Sequence, residues 1–202
     1  MAQRRHQYER AFESFLRARQ IPYVAVNEAK KAILPNRAAL KIATPDNAPK
    51  TLKSFDFIIY GSSDNLLIEV KGRRLAAPPR RPNTKPRLES WVTLDDVESL
   101  QAWQTLFGSG YDPVFVFVYQ CVCQPPDGLF QEVYEHAGNW YMLRAVHLSD
   151  YVKHMRTRSP RWRTVHLPTD IFASISMPFA PSRTGDLVDL GPDLPAFEPL
   201  SA

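Results

Sequence analysis

Apolar residues recur along the chain with two periods. Tyr8, Ala11, Phe12, Phe15 and Leu16 follow the three-four-seven-eight spacing of a helical stripe and predict an amphipathic helix over residues 3–19. Arg4, Arg5, Arg10, Arg17 and Arg19 fall mostly off that stripe. Short, nearly continuous apolar runs follow at Pro22–Val26, Phe55–Tyr60 and Leu66–Val70, and the last two flank the turn-forming stretch Gly61–Asn65. They read as a strand and then a β-hairpin in a sheet covered on both faces. Val97, Leu100, Trp103 and Phe107 mark a second helix, capped by Thr93 and ended by Gly108, with Asp95, Asp96 and Glu98 in its first turns favouring the dipole. Pro113–Tyr119 reads as a central strand. The order is helix, three strands, helix, strand, and it predicts an α/β fold with a mixed central sheet flanked by helices.

The rest of the chain is less regular. Residues 27–50 are mixed, with one strand-like run at Ala39–Ile42 and with Pro45 and Pro49 reading as loop. After the central strand, Phe130–Glu135 and Trp140–Val146 predict a hairpin across His136–Asn139, followed by a short helix at Ser149–Met155. Thr169–Ile175 is expected to pack back on the core. The expected organisation is one domain over residues 1–179, with its core at about 5–120, and a loose Pro- and Asp-rich tail over residues 180–202.

Three ionisable residues interrupt the central hairpin: Asp56, Glu69 and Lys71. Alternation along a strand puts Glu69 and Lys71 on one face, and the turn folds Asp56 back towards them. A carboxylate buried without a partner costs several kcal/mol or becomes neutral. A divalent cation between Asp56 and Glu69 would resolve that conflict, because hard cations take oxygen ligands. Lys71 could then hold or polarise a water or a phosphate oxygen beside it.

An Asp followed about a dozen residues later by Glu-x-Lys resembles the signature of the PD-(D/E)XK nucleases, whose smaller members include the archaeal Holliday-junction resolvases. Phe55 stands where a proline often precedes the Asp. The resemblance implies a restriction-endonuclease-like αβββαβ core, Mg²⁺ or Mn²⁺ as cofactor, and hydrolysis of DNA phosphodiester bonds. It implies Asp56, Glu69, Lys71 and the first-helix Glu9 as catalytic residues, with Asp56, Glu69, Glu9 and the Val70 carbonyl as metal ligands. Some members carry a Gln on the second helix near the site, which makes Gln101 and Gln104 accessory candidates; Glu13 is a weaker one on the first helix. The string Gln-Tyr-Glu-Arg-Ala-Phe-Glu at residues 7–13 also resembles the bacterial HYExAFE proteins, with Gln7 in place of the family's His and His6 beside it.

The net charge of +4 hides a division. Residues 1–90 hold 18 Lys/Arg against 8 Asp/Glu, and residues 91–202 hold 7 against 13. A basic half around the proposed site is the field a polyanion meets. Gly72–Leu88 reads as an extended, proline-rich arm in which Arg73, Arg74, Arg80, Arg81, Lys85 and Arg87 would contact nucleic-acid phosphates. Arg156, Arg158, Arg161 and Arg163 around Trp162 form a second basic-aromatic cluster. Cys121 and Cys123 are too close for an ordinary disulfide, and the histidines lack the spacing of a zinc site. No apolar run approaches the ~20 residues of a membrane span, and the N-terminus lacks a secretory signal. The expected setting is cytoplasmic, with DNA as partner, no membrane, and a homodimer left open. Two other functions compete with the nuclease: an inactive nucleic-acid-binding module on the same fold, and a scaffold in which these charges form a buried salt-bridge network.

Overall fold

The computed structural model describes residues 2–27, 41–43, 49–61, 64–75, 88–121 and 133–179. Helix α1 (Ala2–Ala18) leads through β1 (Tyr23–Ala25) to a separate two-stranded sheet of β2 (Lys41–Ala43) and β3 (Pro49–Thr51). Next come β4 (Phe57–Ile59) and β5 (Asn65–Arg74), then β6 (Val92–Thr93), α2 (Leu94–Phe107) and β7 (Tyr111–Cys121). The chain continues through β8 (Val133–His136), β9 (Asn139–His147), α3 (Leu148–His154), β10 (Arg156–Ser159), β11 (Thr164–His166), α4 (Thr169–Ile175) and β12 (Met177–Pro178).

The main sheet runs β1-β4-β5-β7-β9-β12, with β8 also paired to β9. All its neighbours are antiparallel except β5 and β7, whose parallel register runs from Asn65↔Tyr111 to Arg74↔Gln120. The crossover between those two parallel strands carries α2. Helix, β1, β4, β5, helix, β7 is the restriction-endonuclease-like αβββαβ order expected above.

Each sheet face has its own core, which explains why the strands read as continuous apolar runs. Phe12 and Leu16 of α1 pack with Ile59, Ile68, Val116 and Leu143 on one face. Leu100 and Trp103 of α2 pack with Leu67, Phe115, Phe117, Tyr151 and Phe172 on the other. Val114 to Val118 are fully buried, as a central strand requires.

Several expectations change. Gly72, Arg73 and Arg74 belong to β5, because pairing with β7 carries the strand that far; Leu75 N–H still donates to the Gln120 carbonyl at 2.8 Å. Pro49 opens a strand, a position where its missing N–H is tolerated. The later hairpin turns on two residues, Ala137 and Gly138, both at positive φ (50° and 73°), as a tight turn between twisted strands demands. Arg156–Arg163 do not gather around Trp162. Arg156 and Arg158 lie on β10 and Arg161 and Arg163 in the turn after it, and among the described residues only Arg161 stands over that ring, 5.5 Å from its centroid. The proposed tail, residues 180–202, and most of the proposed arm lie outside the described residues.

Gly72 has a specific role. A Cβ there would come within 2.0 Å of the Tyr8 ring, which packs edge-on against Tyr141 at 6.3 Å. The bare backbone lets α1 approach β5 closely and sets the position of the next helical residue, Glu9. Gly72→Ala is expected to cost about 1–3 kcal/mol through overpacking, read as a lower denaturation midpoint. A Tyr8→Ala change in the same chain should return part of that loss, since the two residues contact each other.

Candidate functional site

The site is built at the end of β4, where the strand meets β5. The register Phe57↔Ile68 continues one step outward, so Asp56 stands across from Glu69 on the face that α2 covers. Three bonds fix Asp56. Its N–H donates to the Ile68 carbonyl (2.9 Å), its carbonyl accepts from Val26 N–H (2.9 Å), and its Oδ2 accepts from Val70 N–H (2.7 Å). Burial pushes the Asp56 carboxyl well above the ordinary carboxylate range, and the nearby charges of Glu69 and then Glu9 push it the same way. The Val70 N–H and the Lys71 charge oppose this without overcoming it. Among the described residues no lysine or arginine is in ion-pair contact with Asp56.

Lys71, two residues beyond Glu69 on the same face, has a buried side chain that is 9% exposed. Its Nζ donates to Glu69 Oε1 at 2.7 Å and to Asp96 Oδ2 at 2.8 Å. Burial alone would lower the ammonium's pKa, but the Glu69 and Asp96 carboxylates reverse this and raise it. In the sequence Asp96 stands out only as a partner of the helix dipole. It is the third residue of α2 and forms a capping box with Thr93, each side chain accepting from the other's backbone N–H at 3.2 and 3.0 Å. Its Oδ1 also accepts from Lys53 Nζ at 3.1 Å. Burial would raise the Asp96 carboxyl; Lys71 and the Thr93 bonds hold it well below the usual range instead. The signal was present in the pattern, since Asp96 lies four residues before Leu100 and seven before Trp103 on the buried side of the helix. A cleft of about 10 Å³, room for roughly one water, opens beside Glu69, Asp96, Lys53 and Ser99.

The remaining predicted residues divide. Glu9 is half-buried on α1 and close enough to act on Asp56 electrostatically. Glu13 is committed elsewhere, accepting from the Tyr23 hydroxyl at 2.8 Å and from Arg17 at 2.7 Å. Gln101 and Gln104 are both exposed on α2, off the buried stripe of Leu100 and Trp103. Arg73 is not part of a free arm. It lies on β5, its guanidinium stacks 4.1 Å from the Trp91 ring centroid, and it donates to the Gly72 and Trp91 carbonyls. Arg74 is exposed at the strand end. Arg80, Arg81, Lys85 and Arg87 lie outside the described residues.

Among the described residues, no three His, Cys, Asp or Glu side chains are placed to hold a metal ion. One Glu69 oxygen is turned to Lys71, and one Asp56 oxygen to Val70. The donor chemistry nevertheless suits a hard cation. Asp56, Glu69 and Glu9 supply carboxylate oxygens only, and the mutual repulsion felt at Asp56 is what a divalent charge would relieve. Asp56, Glu69 and Glu9 therefore match a hard cation in donor type, while their side chains are not gathered into a three-ligand cluster.

No protein-family model matches the chain, and no curated protein does either, so the likeness of residues 7–13 to the HYExAFE proteins has no family match behind it. Among solved structures the chain is similar to Hjc, a Holliday junction resolvase from the archaeal hyperthermophile Archaeoglobus fulgidus. The two are 13% identical with a TM-score of 0.43, over 84% of this chain and 92% of that one. No helix among the described residues is long and apolar enough to cross a membrane.

Proposed function

We propose that the chain is a divalent-metal-dependent nuclease of the PD-(D/E)XK type acting on DNA, with Mg²⁺ or Mn²⁺ as its ion. One observation carries this reading. Asp56 faces Glu69 across adjacent strands with its carboxyl pushed well up by burial and two like charges, and a buried ammonium stands next to the pair. Asp56, Glu69 and Glu9 would hold the ion. When bound, it would supply Lewis-acid stabilisation of charge on the phosphate oxygens and ease deprotonation of the attacking water. Lys71 presents its ammonium beside Glu69, where it can hold a scissile phosphate oxygen or orient the water. Asp96 is a positioning residue. It keeps Lys71 protonated and aimed, and through the capping box it ties that aim to the N-terminus of α2.

A second reading has its own observation. The Lys71 ammonium is paired on both sides inside the protein, and Asp96 extends the chain of charges to Lys53. Such a network can serve the fold alone. Incubating the protein with supercoiled, linear, single-stranded and branched DNA, with Mg²⁺, Mn²⁺ or EDTA, separates the two. Metal-dependent cleavage is the expected result. A protein that neither binds these ions nor cleaves any of the four substrates is the scaffold.

The arm keeps a narrower role. Replacing Arg74, Arg80 and Arg81 with Ala, and leaving Arg73 in place on Trp91, should weaken DNA binding at low salt. The log–log salt slope should fall by up to roughly 0.9 for each phosphate the variant no longer neutralises. Cleavage of bound substrate should change little. An unchanged slope would reduce the stretch to a linker.

A further inference from the structure

Further along the sheet face that carries Glu69 and Lys71 lies a second cavity, of about 120 Å³, between the segment leading into β6 and the β10–β11 pair. Glu89, Trp91, Arg158, His166, Leu88 and Leu167 line it. We infer that this pocket takes one unstacked nucleobase of the DNA strand bound at the carboxylate site; the inference rests on the nuclease reading above.

Four features carry it. The first is rigidity, because buried bonds hold the wall. The Tyr119 hydroxyl donates to the Glu89 carbonyl (2.9 Å), the Tyr151 hydroxyl to the Ser90 carbonyl (2.7 Å), and Ser90 Oγ bridges to the Leu167 backbone (3.1 and 3.2 Å). The second is composition. Leu88 and Leu167 are apolar, and the Trp91 indole stands with the Arg158 guanidinium 5.0 Å from its centroid, which suits a flat π-system. The third is an unmet hydrogen bond: His166 lines the cavity, and its buried Nδ1 has no partner and would meet an entering base after a small turn of the ring. A buried polar atom left unpaired is costly, and a base edge would satisfy it. Glu89, which accepts from Trp91 Nε1 at 3.2 Å, puts a carboxylate at the rim. That carboxylate disfavours a phosphate and accepts from an exocyclic amine. The fourth is position. Arg73, which stacks on Trp91, is four residues beyond Glu69 on β5, about 13 Å along the strand and within a few nucleotides of the scissile bond.

The test is an abasic scan. Fluorescence anisotropy would follow binding of single-stranded oligonucleotides, each lacking one base, to the wild-type chain, Arg158→Ala and His166→Gln in EDTA. Arg158 is partly exposed, so its replacement should leave the fold intact even where the His166 variant does not. In the wild type, removing the base at one position should weaken binding about 10-fold, with smaller losses elsewhere. The variants should bind the intact strand about 10-fold more weakly and lose no more than about 2-fold at that position. A flat profile, or the same positional loss in both variants, overturns the pocket. If the DNA is still cleaved with Mg²⁺, the nuclease reading survives that result. A chain that binds no DNA at all overturns both.

Discussion

Lys71→Ala is expected to lose about 3–5 kcal/mol of stability as well as any cleavage, because it removes the shared partner of two largely buried carboxylates. Lys71 and Asp96 are 9% and 6% exposed, so solvent screening does little to soften the loss. Chemical denaturation would show it directly. The raised Lys71 pKa stabilises the fold fully below the ordinary lysine value of 10.5, and that stability disappears as pH rises through the higher folded value. The lowered Asp96 pKa stabilises the fold above the ordinary 3.8, and that contribution is lost as pH falls through the lower folded value. The pair should therefore contribute evenly from about pH 4 to about pH 10. Adding Asp96→Asn to Lys71→Ala should recover part of the stability, because one of the two buried carboxylates that lose Lys71 is then neutral, but should not restore cleavage. A double variant no more stable than Lys71→Ala alone would remove Asp96 from its proposed role.

Asp56→Asn should act in the opposite sense on the metal-free protein. Burial and the charges of Glu69 and Glu9 raise the Asp56 carboxyl, so between the ordinary value of 3.8 and the raised folded value the native state binds more protons than the unfolded chain. Stability then falls as pH rises through that window, and the penalty persists at neutral pH. Asparagine has no such penalty and still accepts from Val70 N–H. The variant should equal or exceed the wild type near neutral pH, by on the order of 1 kcal/mol, or roughly 2–4 °C in Tm. Millimolar Mg²⁺ or Mn²⁺ should raise the wild-type Tm and leave the variant's unchanged. Cleavage should fall on the order of 100-fold or more. A large loss of stability in the metal-free variant would place Asp56 in a structural charge network instead.

Local pattern alone determined the helix stripe of Tyr8 to Leu16, the β4–β5 hairpin, the buried strand β7 and the α–β order. These follow from side-chain periods of 3.6 and 2, which any short stretch displays. The shared face of Asp56, Glu69 and Lys71 was legible for the same reason, because strand alternation and one turn suffice to place all three. Tertiary structure decided the rest. Asp95, Asp96 and Glu98 are equivalent as dipole partners, and only the docking of α2 over the parallel β5–β7 pair selects Asp96 for Lys71. Arg73 looked like the start of a basic arm because the stretch that follows it, up to Leu88, is rich in Arg and Pro. Its partners are Trp91, 18 residues on, and Tyr119, its register mate on β7, and contacts made across folded elements leave no mark in local composition. Gln101 and Glu13 show the same limit from the other side. A residue type suited to a site is visible in the sequence, but which way its helix turns depends on packing against elements a hundred residues distant.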